Sequence, residues 1–256
     1  MTKTTPVLAI TGLSKSFAGL HVIRDLSFDV QRGRATALIG PNGAGKTTVF
    51  NLISGVYPVS AGRIAIDGRD ITAVPSRRRI RLGLSRSFQN IRLMSHLSVI
   101  ENLMVGQHVA ASRLTDLITP FRLIPDHRWR REARLALAEW GLEQHADQPV
   151  SALSYGVRKR VDLIRATLAK PSLLLLDEPA AGLNPSETVA LRAHLAALKD
   201  KGVTLLVVEH DMHFVGSLCE HVVVLNFGEK IAEGTLADIQ RDRRVREAYL
   251  GSSAAA

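Results

Sequence analysis

The chain has little of what secreted and membrane-spanning proteins depend on. A single cysteine, Cys219, excludes an intramolecular disulfide, and its apolar setting among Phe214, Val215 and Leu218 reads as a small buried side chain. No apolar run approaches the roughly 18 residues that span a bilayer. The opening "MTKTTPVLAITGLSKSF" has no charged segment followed by a long apolar one. The expected setting is therefore cytosolic, with docking on a membrane protein left open. Aromatic residues are scarce, at 5%, and there is no internal repeat. The last residues, "GSSAAA", are expected to be disordered.

What is present is a chain of 256 residues with 46% apolar content, long enough for a substantial core. One α/β body with a helical insertion is expected. The formal charge of +9 suits nucleic acid, a phosphate-rich ligand or an anionic membrane surface, and says nothing about fold. Arginines cluster at Arg77, Arg78, Arg79 and Arg81, at Arg128, Arg130 and Arg131, and at Arg241, Arg243, Arg244 and Arg246. Each cluster is expected on a solvated helix face.

Short apolar runs alternate with helical patterns, which argues for a buried sheet flanked by helices. The opening portion differs: "LAITGLSKSF", "LSFDVQRG" and "GRIAIDGRDIT" are strand-like pieces separated by Gly and Asp-Gly turns, and predict an antiparallel β patch. From about Asn90 to Val150 strand signals disappear. "SVIENLMVG" opens with a capping box, Ser98 and Glu101, and "RWRREARLALAEWGL" has helical periodicity. Between them "HVAASRLTDLITPFRLIPDH" reads as a loop or broken helix.

The chemistry starts at "ATALIGPNGAGKTTVFNLISG". It contains G-x-x-x-x-G-K-S/T, directly after an apolar strand and before a helix. Glycines allow backbone N–H groups to point into a concavity that holds phosphate oxygens. Lys46 adds a point charge, and the Thr47 hydroxyl can ligate Mg²⁺. The candidate ATP-binding residues here are Gly40, Pro41, Asn42, Gly43, Ala44, Gly45, Lys46, Thr47 and Thr48.

"SLLLLDEP" is an apolar run ending in two carboxylates, the form of a buried parallel strand that delivers acids at its carboxyl end. Asp177 would support Mg²⁺ and Glu178 would polarise the attacking water. Acids after a strand are common; beside a phosphate loop they supply what phosphate hydrolysis requires. "VTLLVVEHDM" is a second buried strand, ending at Glu209 and His210. On this string alone His210 caps a strand end; a neighbouring phosphate would make it a γ-phosphate sensor. "SRSFQN" offers Gln89, able to reach Mg²⁺ or the water.

GPNGAGKT, SFQN, LSYG, LLLLDEP, AAGLN and EHD occur in the order of the ATP-binding cassette (ABC) ATPases. The chain resembles that family over nearly its whole length. The resemblance implies a P-loop NTPase core with a mostly parallel sheet, an N-terminal antiparallel β patch and a helical subdomain. As a single nucleotide-binding domain over 1–256, it would comprise a RecA-like core at about 1–89 and 170–256, a helical subdomain at about 90–169, and a flexible tail at 251–256.

By the same resemblance Phe17 stacks on adenine, Gln89 is the Q-loop glutamine and His210 the switch histidine. "LSYGV" stands for the family's LSGGQ signature. A helix N-terminus there, with Ser154, Tyr155 and Gly156, would offer amides to the phosphate of a partner subunit's ATP. Gly156 would leave no side chain in the way. Two shared sites in a head-to-tail dimer are implied. Val157 replaces the signature's glutamine, and Asn184 replaces a common aspartate while suiting an N-cap before Pro185. Behind the signature, Val157, Val161, Ile164 and Leu168 share a face, and "RKR" reads as a solvated, charge-compensated surface.

"LSYG", "DEPAAGLNP", "EHDM", the insertion after Gln89 and the ending "AYLG" resemble the ATP-binding subunit of bacterial branched-chain (hydrophobic) amino-acid importers. The implied partners are a second ABC ATPase subunit, transmembrane permease subunits and, indirectly, a substrate-binding protein. The implied cofactors are ATP and Mg²⁺, and the implied place is the cytoplasmic side of the inner membrane. Relatives that import urea, amides or aromatic acids look much alike. A nucleic-acid ATPase of the same fold would instead carry a long coiled coil or a second cassette; neither is present, and no nucleic acid is expected as partner.

Overall fold

The computed structural model describes residues 5–87, 91–107 and 127–253. Among these residues the strands form two sheets. The first is antiparallel, with order β2-β1-β4-β5, from β1 (Leu8–Phe17), β2 (Leu20–Val30), β4 (Ala61–Ile66) and β5 (Arg69–Asp70). It is the β patch expected from the Gly and Asp-Gly turns. The second is six-stranded, with order β10-β9-β3-β8-β7-β6. Its members are β3 (Ala35–Ile39), β6 (Leu84–Arg86), β7 (Leu173–Asp177), β8 (Thr204–Val208), β9 (His221–Asn226) and β10 (Glu229–Gly234). β3, β8, β7 and β6 run parallel, β9 joins β3 in parallel, and β10 closes one edge antiparallel.

β3, β7 and β8 are buried at every position, which is why their sequences are continuous apolar runs without alternation. Leu38 pairs with Val208, and Asp177 pairs with the same Val208 from the other side. This register brings the carboxyl ends of three strands together, the place where open α/β sheets hold ligands.

Between the two sheets lies one hydrophobic cluster, with Phe50, Leu52 and Ile53 of helix α1 (Lys46–Ile53) packed among Leu8, Ile23, Leu175 and Leu206. The further α-helices among the described residues are α2 (Ser76–Arg79), α3 (Val99–Gln107), α4 (Arg128–Glu139), α5 (Tyr155–Thr167), α6 (Pro185–Asp200), α7 (Met212–Leu218), α8 (Leu236–Arg241) and α9 (Arg243–Ser253). A second cluster covers the other face of the six-stranded sheet. It joins Ala37, Leu174 and Val207 to Leu103 of α3, Trp129 and Leu137 of α4 and Ile164 of α5. The apolar stripe of α5 enters it through Val161 and Ile164, as the spacing predicts. Residues 108–126, the expected loop or broken helix, lie outside the described residues.

Caps place several helix starts. The Ser98 amide donates to the Glu101 carboxylate at 2.9 Å and the Glu101 amide donates back to the Ser98 hydroxyl at 3.3 Å, the box expected at the start of α3. Asn184 and Glu187 form the same reciprocal pair before α6. Helix α9 continues through Ser253, so three of the six residues expected in a flexible tail are helical, and 254–256 lie outside the described residues.

The expectation of solvated arginines fails at Arg79. Its guanidinium is buried and donates to the carbonyls of Leu52 and Ile53 at 2.8 and 2.7 Å, and to Val74 O at 2.8 Å. It closes the carbonyl end of α1, where a fixed cation meets the negative pole of the helix. Cys219 is buried, and burial, with Glu220 adding to it, pushes its thiol up to about 12. Among the described residues no helix is long and apolar enough to cross a membrane.

Candidate functional site

The segment from Gly40 to Gly45 leaves β3 and turns into α1. Gly40 passes so close to β9 that a β-carbon there would run into the carbonyl of Leu225. Gly45 takes up the N-cap of α1 at φ 102°, a left-handed conformation that suits glycine and leaves the first amides of the helix facing outward. The Gly228 amide donates to Ala44 O at 3.0 Å and holds the loop from the side. Lys46 folds back over the loop, donating from Nζ to Gly40 O at 2.6 Å and Pro41 O at 2.9 Å. Burial lowers its pKa, while the carboxylates of Glu178 and Asp177 work in the opposite direction.

A cleft of about 340 Å³ lies above this loop, lined by residues 42–48 together with Val22, Glu178, Val208 and His210. In sequence Glu178 lies 130 positions beyond Thr48; the strand register gathers these groups at one edge. Glu178 leaves β7 at φ 48°, an unusual conformation for a non-glycine residue, and its amide donates to Val208 O at 2.9 Å. His210 Nε2 lies 2.9 Å from Glu178 Oε1. His210 thus stands beside the cleft as well as at a strand end.

Asp177 is buried, and its Oδ2 accepts a hydrogen bond from Arg86 Nη2 at 2.8 Å. Arg86 Nη1 also donates to Asn51 Oδ1 at 2.7 Å and Ser54 Oγ at 3.1 Å. The expected metal carboxylate therefore already has a cationic neighbour. Sequence reading passed over Arg86; the signal was a charged residue inside a short strand.

Ser154 N-caps α5, accepting from the Val157 amide at 3.4 Å. Tyr155 remains 40% exposed. Gly156 is buried, and a β-carbon there would run into the Glu187 carboxylate at the start of α6. What the missing side chain permits within the monomer is close approach of that helix. Tyr155 packs against Gly182 in the loop between. The expectation that "RKR" is a solvated face is corrected at Lys159, which is 7% exposed. Its Nζ donates to Glu178 O at 2.6 Å and Ala181 O at 2.8 Å. The compensating ion pair on this helix is Asp162 with Arg165, at 2.6 Å.

Phe17 is not among the described lining residues of the cleft. It lies at the end of β1, edge-on to Tyr57 with ring centres 5.2 Å apart, and Lys15 Nζ sits 4.7 Å from its ring. Gln89 lies outside the described residues.

The family model for "ABC transporter" matches residues 23–181, which run from the antiparallel patch through the phosphate loop to the loop after Glu178. The chain belongs to the ABC transporter family. A second model, "Branched-chain amino acid ATP-binding cassette transporter", matches residues 229–255, a stretch that starts at β10 and includes α8 and α9. The cassette is 39% identical to the high-affinity branched-chain amino acid transport ATP-binding protein BraF of Pseudomonas aeruginosa, over 97% of this chain and 99% of that protein. It is 35% identical to the lipopolysaccharide export system ATP-binding protein LptB of Escherichia coli, over 95% and 97%. Among solved structures it resembles the ADP conformation of MJ1267, an ATP-binding cassette of an ABC transporter. The TM-score is 0.86 and the identity 30%, covering 97% of this chain and all of that one (100%). ABC cassettes bind nucleotide, and the cleft of this one lies over residues 42–48.

Proposed function

We propose that this chain is the ATP-hydrolysing subunit of a membrane importer for branched-chain or related hydrophobic amino acids. The observation that carries the chemistry is the position of Glu178, whose carboxylate opens on the phosphate-loop cleft and touches His210. The observation that carries the substrate class is the match of the C-terminal segment to the branched-chain model. The phosphate loop itself serves relatives of quite different cargo, including one named for lipopolysaccharide export.

In this reading the amides of residues 42–48 and the Lys46 ammonium cradle the phosphates of ATP. Lys46 exchanges its carbonyl partners Gly40 and Pro41 for phosphate oxygens. Glu178 orients the attacking water and accepts its proton, with His210 holding the carboxylate and meeting the γ-phosphate. Phe17 supplies a ring for adenine. Thr47, Asp177 and Gln89 are the residues for Mg²⁺. A hydroxyl, a carboxylate and an amide form the hard-oxygen donor set that suits this ion. Bound there, Mg²⁺ supplies positive charge against the phosphate oxygens.

Ser154, Tyr155 and Gly156 serve the ATP held by a second cassette, so efficient turnover requires a pair. Residues 90–169 act as the helical subdomain that passes closure to permease subunits, and 1–89 with 170–256 as the core. The subunit works at the cytoplasmic face of the inner membrane, where a charge of +9 suits anionic headgroups. The test is to purify the complex from membranes, identify its subunits and reconstitute it in liposomes with its binding protein. Stimulation of ATP turnover by leucine, isoleucine or valine is expected. Stimulation by urea, short amides or aromatic acids alone would overturn the substrate class.

A further inference from the structure

Lys159 is an ammonium buried in the body of the cassette, and its two described hydrogen-bond acceptors are main-chain carbonyls of one short turn. That turn, 178–181, begins at Glu178 in a left-handed conformation. It is fixed from both sides. Lys159 takes the carbonyls of Glu178 and Ala181, while Glu209, also buried, accepts from the Ala180 amide at 2.7 Å and the His210 amide at 3.0 Å. The Glu178 amide is tied to Val208 O at 2.9 Å. A bend that an L-residue resists is thus over-determined by neighbours, which is how such conformations persist at working sites.

The clamp starts on the signature helix. Along one stripe of α5, Tyr155 packs on Gly182, Gly156 meets Glu187, and Lys159 reaches Glu178 and Ala181. The first turns of α5 and the segment after Glu178 therefore form one packed unit. Burial lowers the Lys159 pKa, and the carboxylates of Glu209, Glu178, Asp162 and Asp177 act against that, Glu209 most strongly. An ammonium in a setting this costly is kept in place by what it holds.

We propose that Lys159 is a positioning residue for ATP hydrolysis, clamping the backbone of the turn that carries Glu178 and tying the general base mechanically to the signature helix. The proposal rests on the reading of Glu178 as the general base. In consequence, movement of the signature helix on meeting a partner's nucleotide is transmitted to the carboxylate of the same subunit.

The test uses the full chain with Lys159→Met, Lys159→Arg, Glu178→Gln and the double variant Lys159→Met/Glu178→Gln. Phosphate release gives kcat, and equilibrium binding of a fluorescent ATP analogue gives Kd. Lys159→Met should lower kcat by about 10²-fold, the scale of a small misplacement of a reacting group, with Kd unchanged. Lys159→Arg, which keeps a cation and several donors, should recover most of the loss. In the Glu178→Gln background Lys159→Met should remove no further residual turnover. Should Lys159→Met not fold, Lys159→Gln, which keeps one donor group, replaces it with the same outcomes. Turnover that survives Glu178→Gln would overturn the general-base reading and the clamp with it. Loss with Glu178→Gln but none with Lys159→Met would overturn the clamp alone, as would a kcat loss that is multiplicative in the double variant.

Discussion

Arg86 Nη2 lies 2.8 Å from Asp177 Oδ2, with both side chains only 7% exposed. The pair joins the short strand β6 to the acid at the end of β7 and screens that acid before any ligand arrives. Removing one member leaves the other charged and buried. Arg86→Met should therefore lower stability by about 3–5 kcal/mol. Urea unfolding without nucleotide measures this, and added Mg²⁺ with ATP should return part of it, because the metal then compensates Asp177 instead.

Glu178→Gln retains shape and one acceptor oxygen while removing the base. Turnover should fall by about 10²–10⁴-fold, the usual share of general base catalysis, and ATP should still bind. Phosphate release beside equilibrium nucleotide binding separates the two effects. Unchanged turnover would remove Glu178 from its role.

Arg79 makes its bonds as a fork, to Leu52 O, Ile53 O and Val74 O, with a longer one to Thr72 O at 3.2 Å. Arg79→Met should cost about 1–3 kcal/mol for each carbonyl left buried and unmet, visible as a lowered Tm. Arg79→Lys should rescue only part, since an ammonium on a flexible stem cannot reproduce a planar fork.

Asn184 caps α6 through the Glu187 amide at 2.9 Å, and the Asn184 amide donates to Glu187 Oε2 at 3.0 Å. Asn184→Ala should cost about 1 kcal/mol in thermal unfolding, and Asn184→Asp much less.

His194 stacks on Trp140, ring centres 4.2 Å apart, and its pKa is lowered from 6.5 by burial first and by Arg160 second. A lowered pKa means that just below pH 6.5 the unfolded chain binds a proton that the folded chain refuses. Stability from this group is complete above pH 6.5 and is lost as pH falls toward the depressed folded value. His194→Phe should flatten the fall in stability below pH 6.5, read by Tm in matched buffers. A slope as steep as the parent's would show that other groups set it.

The order of elements and the meeting of residues 42–48 with Glu178 were legible in the sequence, while His210 by itself read as a strand-end cap and only the family resemblance set it beside them. Apolar runs without alternation mark buried parallel strands, and such strands deliver the residues at their carboxyl ends to one edge of the sheet. Lys159, Arg79 and Arg86 were not legible, because their partners are groups that only the fold brings near. Two of them bond main-chain carbonyls, which leave no mark in composition. Lys159 did carry a trace: it lies three positions from Gly156 and four from Leu163, both buried, and so sits on their side of α5. A glycine at a helix start such as Gly156 reads as open space, and only the fold shows that a β-carbon there would run into the Glu187 carboxylate.

The lone thiol makes the molecule easy to instrument. With Cys219 buried and its thiol pushed up to about 12, almost no thiolate is available to maleimides at neutral pH while the chain is folded. A reporter cysteine can be placed without first removing the native one. At Ser151, exposed just ahead of the signature helix, its labelling rate would fall when a second cassette covers that surface. The same chain would then report pairing directly, in the presence and absence of ATP, without a turnover assay.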